Sequence, residues 1–565
     1  MTQMKGCSRR QFIIGSAMVS AAVLINPRNL LGQSAAVQPL FARLDDYIAG
    51  HMRLTGTPGM TLALANREGL IRVSTYGFAD VKEKARVVAE TMFEIGSISK
   101  SFVALALLQL RDEGKLDLHK PVVEYLPWLK ISSKFEPVTT HHLLSHTAGL
   151  PGAPLLLDAL LRELWTAYAP GKRFLYSNTG YNILGFLIEA IDKRPFAEAM
   201  RARMLTPLGM TASAPVISNE LRRQMAVGYE PLNESAPFSY GGPLAEAQWI
   251  EVDVAAGSIA STPADMAKYM RMVLNRGALP KGRIVSEDGF KLFTTPAVNS
   301  PFRGEPASYG YGMWVSDVGG HTRLRHTGGM VAFSSSIDMD LKAGVGAFAS
   351  VNANLRGYRP VAVTKYAIEL FNASLEGKPL PEAPVVPPPT EVKNAAEYAG
   401  VYTSPDGGKL ELSAEGDKLV LTYAGRKIVL ERAGGDRFFV KHPAFDRYTL
   451  GFVRENKQVT QAYHGADWYA GERYNGPRSF EAHKEWEGFA GHYFNDSPWY
   501  GDMHVVLRRG QLFLEGDVQL VPRSDGKFGI ADPEAPDWIA FDSIVEGRAM
   551  QLNYSGIIFR RMFTP

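Results

Sequence analysis

The sequence predicts an α/β sandwich, an antiparallel sheet carrying an inserted helical lobe, followed by two small antiparallel β-barrels. Three observations predict it. Strand-like runs lie at both ends of residues 37–377, with a mostly helical middle between them. A proline-rich stretch closes that part of the chain. The remainder contains an internal repeat at an offset of 91 residues.

The chain has 565 residues, which at roughly 150 residues per domain predicts about four folded units. Its 61 basic and 58 acidic residues nearly balance. Phosphate binding needs a basic excess or a basic patch, so no nucleic-acid partner is expected. Apolar residues make up 45% and charged residues 21%, enough apolar material for a large core. One cysteine excludes an intrachain disulfide, a thiolate zinc site and an iron–sulfur cluster.

Residues 1–36 read as an export signal. Lys5, Arg9 and Arg10 precede an apolar run from Phe12 to Ile25. At about 14 residues the run is too short for a comfortable transmembrane helix. Ser34-Ala35-Ala36 supplies small residues for a signal-peptidase cut, and Ser8-Arg9-Arg10-Gln11-Phe12-Ile13 resembles a twin-arginine signal. The expected location is periplasmic or secreted. No later segment holds 18 consecutive apolar residues, so no stable membrane insertion is expected. Removing 1–36 takes away Lys5, Arg9, Arg10, Arg28 and Cys7 but no acidic residue. The basic excess therefore belongs to the signal.

Each element follows in chain order. A helix is expected over about 38–53, then strands at Met60–Asn66 and Leu70–Tyr76. The middle, about 97–275, reads as helical. One helix runs from near Ser97 to Glu113, with Gly114 as its stop. Its apolar residues fall all round, which predicts burial. Strands return at Leu324–His326, Val331–Met339 and Gly344–Asn352, and a last helix ends near Leu375. Lys378–Thr390 carries six prolines and reads as an extended spacer. Beyond it, Tyr398, Gly400 and Tyr402 recur as Phe489, Gly491 and Tyr493. Phe438 recurs as Phe528, and Tyr463-Gly465 as Tyr554-Gly556. Two tandem barrels over 391–480 and 481–565 account for this pattern.

Ser97-Ile98-Ser99-Lys100 opens the buried helix. Residues three apart share a helix face, so Lys100 can stand beside the Ser97 hydroxyl. A serine is a weak nucleophile until a base takes its proton, and a lysine is a base only when its pKa is lowered. Alone, Ser-x-x-Lys recurs by chance. Tyr176-Ser177-Asn178 adds a hydroxyl that can relay a proton and an amide that can hold a lysine or a substrate carbonyl. His326-Thr327-Gly328-Gly329 ends a strand, and its glycines let backbone N–H groups approach a substrate.

These three elements, in this order, resemble the serine penicillin-recognising hydrolases: class C β-lactamases, D,D-peptidases, D-aminopeptidases and related esterases. Leu143-Leu144-Ser145-His146-Thr147-Ala148-Gly149-Leu150-Pro151, Gly257–Met270 and Tyr309-Gly310-Tyr311-Gly312 extend the likeness over residues 40–375. The resemblance implies a fold of the β-lactamase/transpeptidase type. Ser97 is then the nucleophile, Lys100 its base or proton shuttle, and Tyr176 a general acid or base. Asn178 positions substrate, and His326 lines the cleft. The N–H groups of Ser97 and Gly329, beside Gly328, form the oxyanion hole.

One departure matters. Penicillin-active relatives usually carry Lys-Thr-Gly where this chain has His326. Histidine is largely neutral near pH 7, which counts against penicillin hydrolysis and carboxylate recognition. Histidine there is familiar in the D-aminopeptidase and esterase branches, and D-aminopeptidases of the group carry two C-terminal, lipocalin-like barrels. The expected substrate is a small peptide, amide or ester. A β-lactamase or D,D-carboxypeptidase is the alternative, and a non-catalytic binder of wall peptides or β-lactams a third.

No cofactor is expected. His142-x-x-x-His146 has metal-ligand spacing but no adjacent Glu or third ligand, so no metal is expected. Gly310-Tyr311-Gly312 lacks a third glycine for a phosphate loop, and no Gly-x-Ser-x-Gly surrounds Ser97. The oligomeric state stays open.

Overall fold

The computed structural model describes residues 21–23, 34–152, 164–233, 235–481, 483–532 and 534–563. Most of the expected export signal lies outside them. Ala21–Val23 (β1) is an edge strand, and Ser34-Ala35-Ala36 opens the first helix, Ser34–Thr55 (α1).

The central sheet is antiparallel and joins both ends of the first part, as expected. After β1 come Gly59–Asn66 (β2) and Leu70–Asp80 (β3). Four strands precede the last pair: Val298–Asn299 (β4), Ser308–Tyr309 (β5), Trp314–Asp317 (β6) and Thr322–Gly329 (β7). Ser334–Asp340 (β8) and Val345–Val351 (β9) complete the path. The order is β1-β3-β2-β9-β8-β7-β6-β5-β4, so an N-terminal hairpin pairs directly with a C-terminal strand. The short strands β4 to β6 extend the sheet beyond the runs anticipated from the sequence.

Every residue of β8 and β9 is buried, because helices cover both faces of the sheet. Alternation sorts β2: Leu62 and Leu64 face one core and Ala63 and Ala65 the other. The first core holds Leu40, Leu44, Ile48 and Met52 of α1 against Tyr366, Ile368 and Leu370 of Val361–Leu375, the last helix of this part. The second holds Ser99–Asp112 (α2), most of whose residues are buried all round. Among its other helices are Asn178–Asp192 (α3) and Pro263–Leu274 (α4); Val361–Leu375 becomes α5. A single turn of 3-10 helix, Gly96–Ile98, precedes α2 where the sequence pattern predicts one continuous helix. Gly114, at φ 71°, ends α2, and the Lys115 N–H closes on the Leu110 carbonyl.

The proline-rich stretch is pinned along the helices of the first core. Arg43 donates to the carbonyls of Leu380 and Pro381, and the Tyr366 hydroxyl donates to Pro381.

Two β units follow. The first is a nine-stranded antiparallel sheet running from Arg426–Val429 to Glu431–Gly434. These end strands are consecutive in the chain but share no ladder, so it is rolled rather than closed. The second is a closed eight-stranded barrel, in which Gly491–Asn495 pairs with both Gly501–Arg508 and Ile557–Met562. The repeat read from the sequence has a structural counterpart. Tyr402 donates its hydroxyl to the Tyr398 carbonyl, and Tyr493 does the same to Phe489. Phe438 and Phe528 are both buried in their cores.

Candidate active site

Three elements carry the residues singled out in the sequence. Ser97 sits in the 3-10 turn and Lys100 in the first turn of α2. Tyr176 precedes α3, whose N-cap Ser177 accepts from the Gly180 N–H, so Asn178 is the first helical residue. His326 to Gly329 end β7.

The turn bearing Ser97 packs against the end of β7 with no room for side chains. Gly96 has φ +53°, and a Cβ there would lie 2.7 Å from the Gly329 nitrogen. A Cβ on Gly328 would lie 1.9 Å from the Ile95 carbonyl, which also accepts from Ser335 Oγ at 2.7 Å. Gly328→Ala is therefore expected to cost roughly 2 kcal/mol or more by overpacking. Thermal melting checks this, and an unchanged midpoint would show that the contact is easily relieved.

Lys100 is fully buried. Its Nζ lies 3.0 Å from Ser97 Oγ, 2.8 Å from Asn178 Oδ1 and 2.7 Å from the Ala256 carbonyl. Burial pushes its pKa well below the ordinary lysine value. A neutral amine has two N–H groups and one lone pair. Asn178 Oδ1 and the Ala256 carbonyl can only accept, so they take the two N–H groups. The lone pair is left facing the one partner that can donate, the Ser97 hydroxyl.

The Tyr176 phenol lies near the Ser97 side chain, and Lys100 Nζ lies 4.9 Å from its ring centre. Burial pushes the phenol up; the Ser97 side chain and the charge of Arg359 only partly oppose this. Tyr176 therefore holds its proton at neutral pH. Its ring stacks on Trp314, with centroids 6.1 Å apart and planes within 5°.

His326 is 1% exposed. Its Nδ1 lies 2.7 Å from the Thr327 carbonyl, an acceptor, so Nδ1 carries the proton. Nε2 is then free to accept from the Tyr309 hydroxyl at 3.1 Å. Both ring nitrogens are used inside the protein, so the ring backs the aromatic wall formed with Trp314 and Tyr309. Burial pushes its pKa down to about 3. As pH falls below 6.5, the unfolded chain takes up a proton that folded His326 refuses, so stability is lost toward pH 3. His326→Gln is expected to reduce that loss by on the order of 2 kcal/mol between pH 7.5 and 4.5. Urea unfolding at the two pH values checks it; equal losses would contradict the burial argument.

The histidines with metal-like spacing, and their neighbour His141, have other partners. His141 Nδ1 meets the Tyr311 hydroxyl at 2.7 Å, and His142 Nδ1 accepts from the Thr139 N–H. His146 Nδ1 accepts from the Ser177 N–H at 3.1 Å, which ties this signature segment to Tyr176-Ser177-Asn178. Among the described residues, no group of three or more His, Cys, Asp or Glu is placed to hold a metal.

The sequence reading missed three participants, the Ala256 carbonyl, Trp314 and Arg359, and left open whether the last barrel reaches the cleft. That barrel has a loop near the cleft. The Gly152 N–H donates to Asp537 at 3.0 Å, Trp165 Nε1 donates to the Pro536 carbonyl at 3.0 Å, and Arg173 pairs with Asp532 at 3.4 Å. A Cβ on Gly152 would lie 3.2 Å from the Tyr176 carbonyl, so the barrel reaches the segment directly behind Tyr176. Neither tip has a short-range signature that could have announced this.

A serine beside a buried lysine, between an antiparallel sheet and a helical lobe, defines a β-lactamase-type architecture. The family model described as Beta-lactamase matches residues 44–369, more than half of the chain, and the chain belongs to that family. Protein flp of Staphylococcus aureus (strain N315) is 26% identical over 346 residues, 58% of this chain and 66% of its own. PbpX of Bacillus subtilis (strain 168) is 26% identical over 277 residues, 48% of this chain and 65% of its own. Both matches span just under two thirds of the relatives. The solved octameric penicillin-binding protein homologue from Pyrococcus abyssi is 25% identical, with a TM-score of 0.55. It covers 76% of this chain and 99% of that one.

Proposed function

We propose that this chain is an exported serine hydrolase that forms an acyl-enzyme on Ser97. The single observation that carries this is the arrangement around Lys100, with two carbonyl acceptors and one hydroxyl donor on a fully buried amine. Lys100 takes the Ser97 proton as Oγ attacks the substrate carbonyl carbon. The developing oxyanion faces the N–H groups of Ser97 and Gly329. Tyr176 gives its proton to the leaving group and regains one from the Lys100 ammonium. Water then releases the acyl group. Lys100, whose burial favours the neutral form, is the base in this reading, and Tyr176 the proton donor.

The substrate class is a small peptide or amide, D-aminopeptidase-like, or an ester. A neutral His326 and the two C-terminal β units support it. A β-lactamase or D,D-carboxypeptidase is the second reading, favoured by the likeness to the penicillin-binding protein homologue from Pyrococcus abyssi. A panel of D-alanine p-nitroanilide, p-nitrophenyl esters and nitrocefin separates them. Turnover of the first two supports the primary reading; rapid turnover of nitrocefin alone replaces it with the second. Export rests on residues 1–36, and N-terminal sequencing of the mature protein tests it: a start at Met1 would contradict cleavage.

A further inference from the structure

Four parts of the chain meet around one cavity of about 360 Å³. The catalytic domain gives the loop between its short strands Tyr229–Pro231 and Leu244–Glu246, together with Leu355 and Arg356. The proline-rich stretch gives Pro389. The rolled unit gives Arg432, Arg437 and Arg447, and the closed barrel gives Glu515 and Asp517. Ser97, Lys100, Tyr176 and His326 are not in its wall, so the cavity is separate from the catalytic cleft.

The wall is fixed across these junctions. Arg356 Nη2 donates to the Ala236 carbonyl at 3.4 Å, and Ser239 Oγ donates to Glu431 at 3.0 Å. The Arg432 N–H donates to the Pro389 carbonyl at 2.8 Å, and Arg437 pairs with Asp517 across the two β units. Tyr448, also in the wall, is wedged between those units. A Cβ on Gly465 would lie 2.6 Å from its ring, and one on Gly516 would lie 3.4 Å away. Phe238 and Tyr240 add two more rings from the catalytic domain.

The charges in this wall do not balance. Elsewhere on the rolled unit, Lys427 pairs with Glu415, Lys441 with Glu431, and Arg454 with Glu397 and Asp436. In the cavity, Arg437 has its carboxylate. Arg356, Arg432 and Arg447 have none within ion-pair distance among the described residues. Four arginines against two carboxylates leave the described wall at a net +2. A recess lined by one sign of charge concentrates the opposite ion.

We propose that this junction is a binding site for a small organic dianion, a phosphate monoester carrying a flat ring. The guanidinium forks match phosphate oxygens, and a monoester's charge of roughly −2 at neutral pH offsets the excess. The ring rests among Tyr448, Phe238 and Tyr240. A cavity of this size suits a whole small molecule rather than a bare ion. The proposal is independent of the acyl-enzyme reading. A ligand held here ties the catalytic domain to both β units and stabilises the folded chain.

The test uses the full-length protein and phenyl phosphate, with inorganic phosphate and phenol as comparisons. Calorimetry is expected to find one phenyl phosphate site, about 10-fold or more tighter than inorganic phosphate, and no phenol binding. The double variant Arg432→Gln with Arg447→Gln is expected to weaken phenyl phosphate binding by about 10-fold to 100-fold. Lysine at both positions is expected to restore part of it. The melting midpoint is expected to rise with phenyl phosphate in wild type and not in the glutamine variant. No phenyl phosphate binding at millimolar concentration, equal affinity for inorganic phosphate, or binding that survives the double variant overturns the proposal. Both arginines are exposed, and melting without ligand confirms that the variants are folded. Arg447→Gln alone is the milder variant, and unchanged binding in it also overturns the site.

Discussion

Ser97→Ala is expected to abolish covalent labelling by a fluorophosphonate probe and to lower hydrolysis by about 10⁴-fold or more. The substitution removes one oxygen. That oxygen faces Lys100 and Tyr176 and holds no structural element in place. Lys100 keeps Asn178 Oδ1 and the Ala256 carbonyl, so the buried amine stays anchored. The fold is therefore expected to survive, and the loss to be chemical. Labelling that persists in Ser97→Ala would sink the nucleophile assignment outright.

The second large effect is at Lys100. A guanidinium stays protonated under all ordinary conditions, so Lys100→Arg supplies a charge but no lone pair. Labelling of Ser97 is expected to slow by about 10²-fold to 10⁴-fold, the usual worth of a positioned base. Arginine is also too large for a site with no exposed surface, so Lys100→Met serves as the smaller companion. It removes both charge and lone pair and is expected to slow labelling as much. The pH dependence has a definite sign. Only the neutral amine accepts a proton, so the wild-type rate falls as pH drops through the lowered Lys100 value. Both variants are expected to lose that acid limb. A Lys100→Met protein labelled within about threefold of the wild-type rate would remove Lys100 from the role of base.

What could be read from the chain tracks how local the physics is. Ser97 and Lys100 meet because residues three apart share a helix face, and Tyr176 and Asn178 flank a helix cap. Those contacts are written within a few residues. The repeat was legible because the same tyrosine-to-carbonyl bond closes the start of both C-terminal units. Arg359 was invisible because it lies 183 residues from Tyr176 (359 − 176 = 183), and only the folded chain brings its charge to that phenol. The Ala256 carbonyl has no side-chain signature at all, although it holds Lys100 at 2.7 Å. His326 was read as part of the cleft lining; its surroundings occupy both ring nitrogens, which no spacing reveals. The sheet was legible in its long buried strands and not in β4 to β6, whose few residues carry too short a pattern.

The loop that joins Asp537 to Gly152 also sets an order in time. Asp537 leaves the ribosome 440 residues after Ser97 (537 − 97 = 440). At roughly 5–20 residues per second, tens of seconds separate them. Through that interval the nascent chain has its nucleophile but not the support behind Tyr176. A chain cut short in its final strands keeps Ser97, Lys100 and Tyr176 and loses that support. The barrel loop thus adds a late-made support to chemistry whose residues are made early.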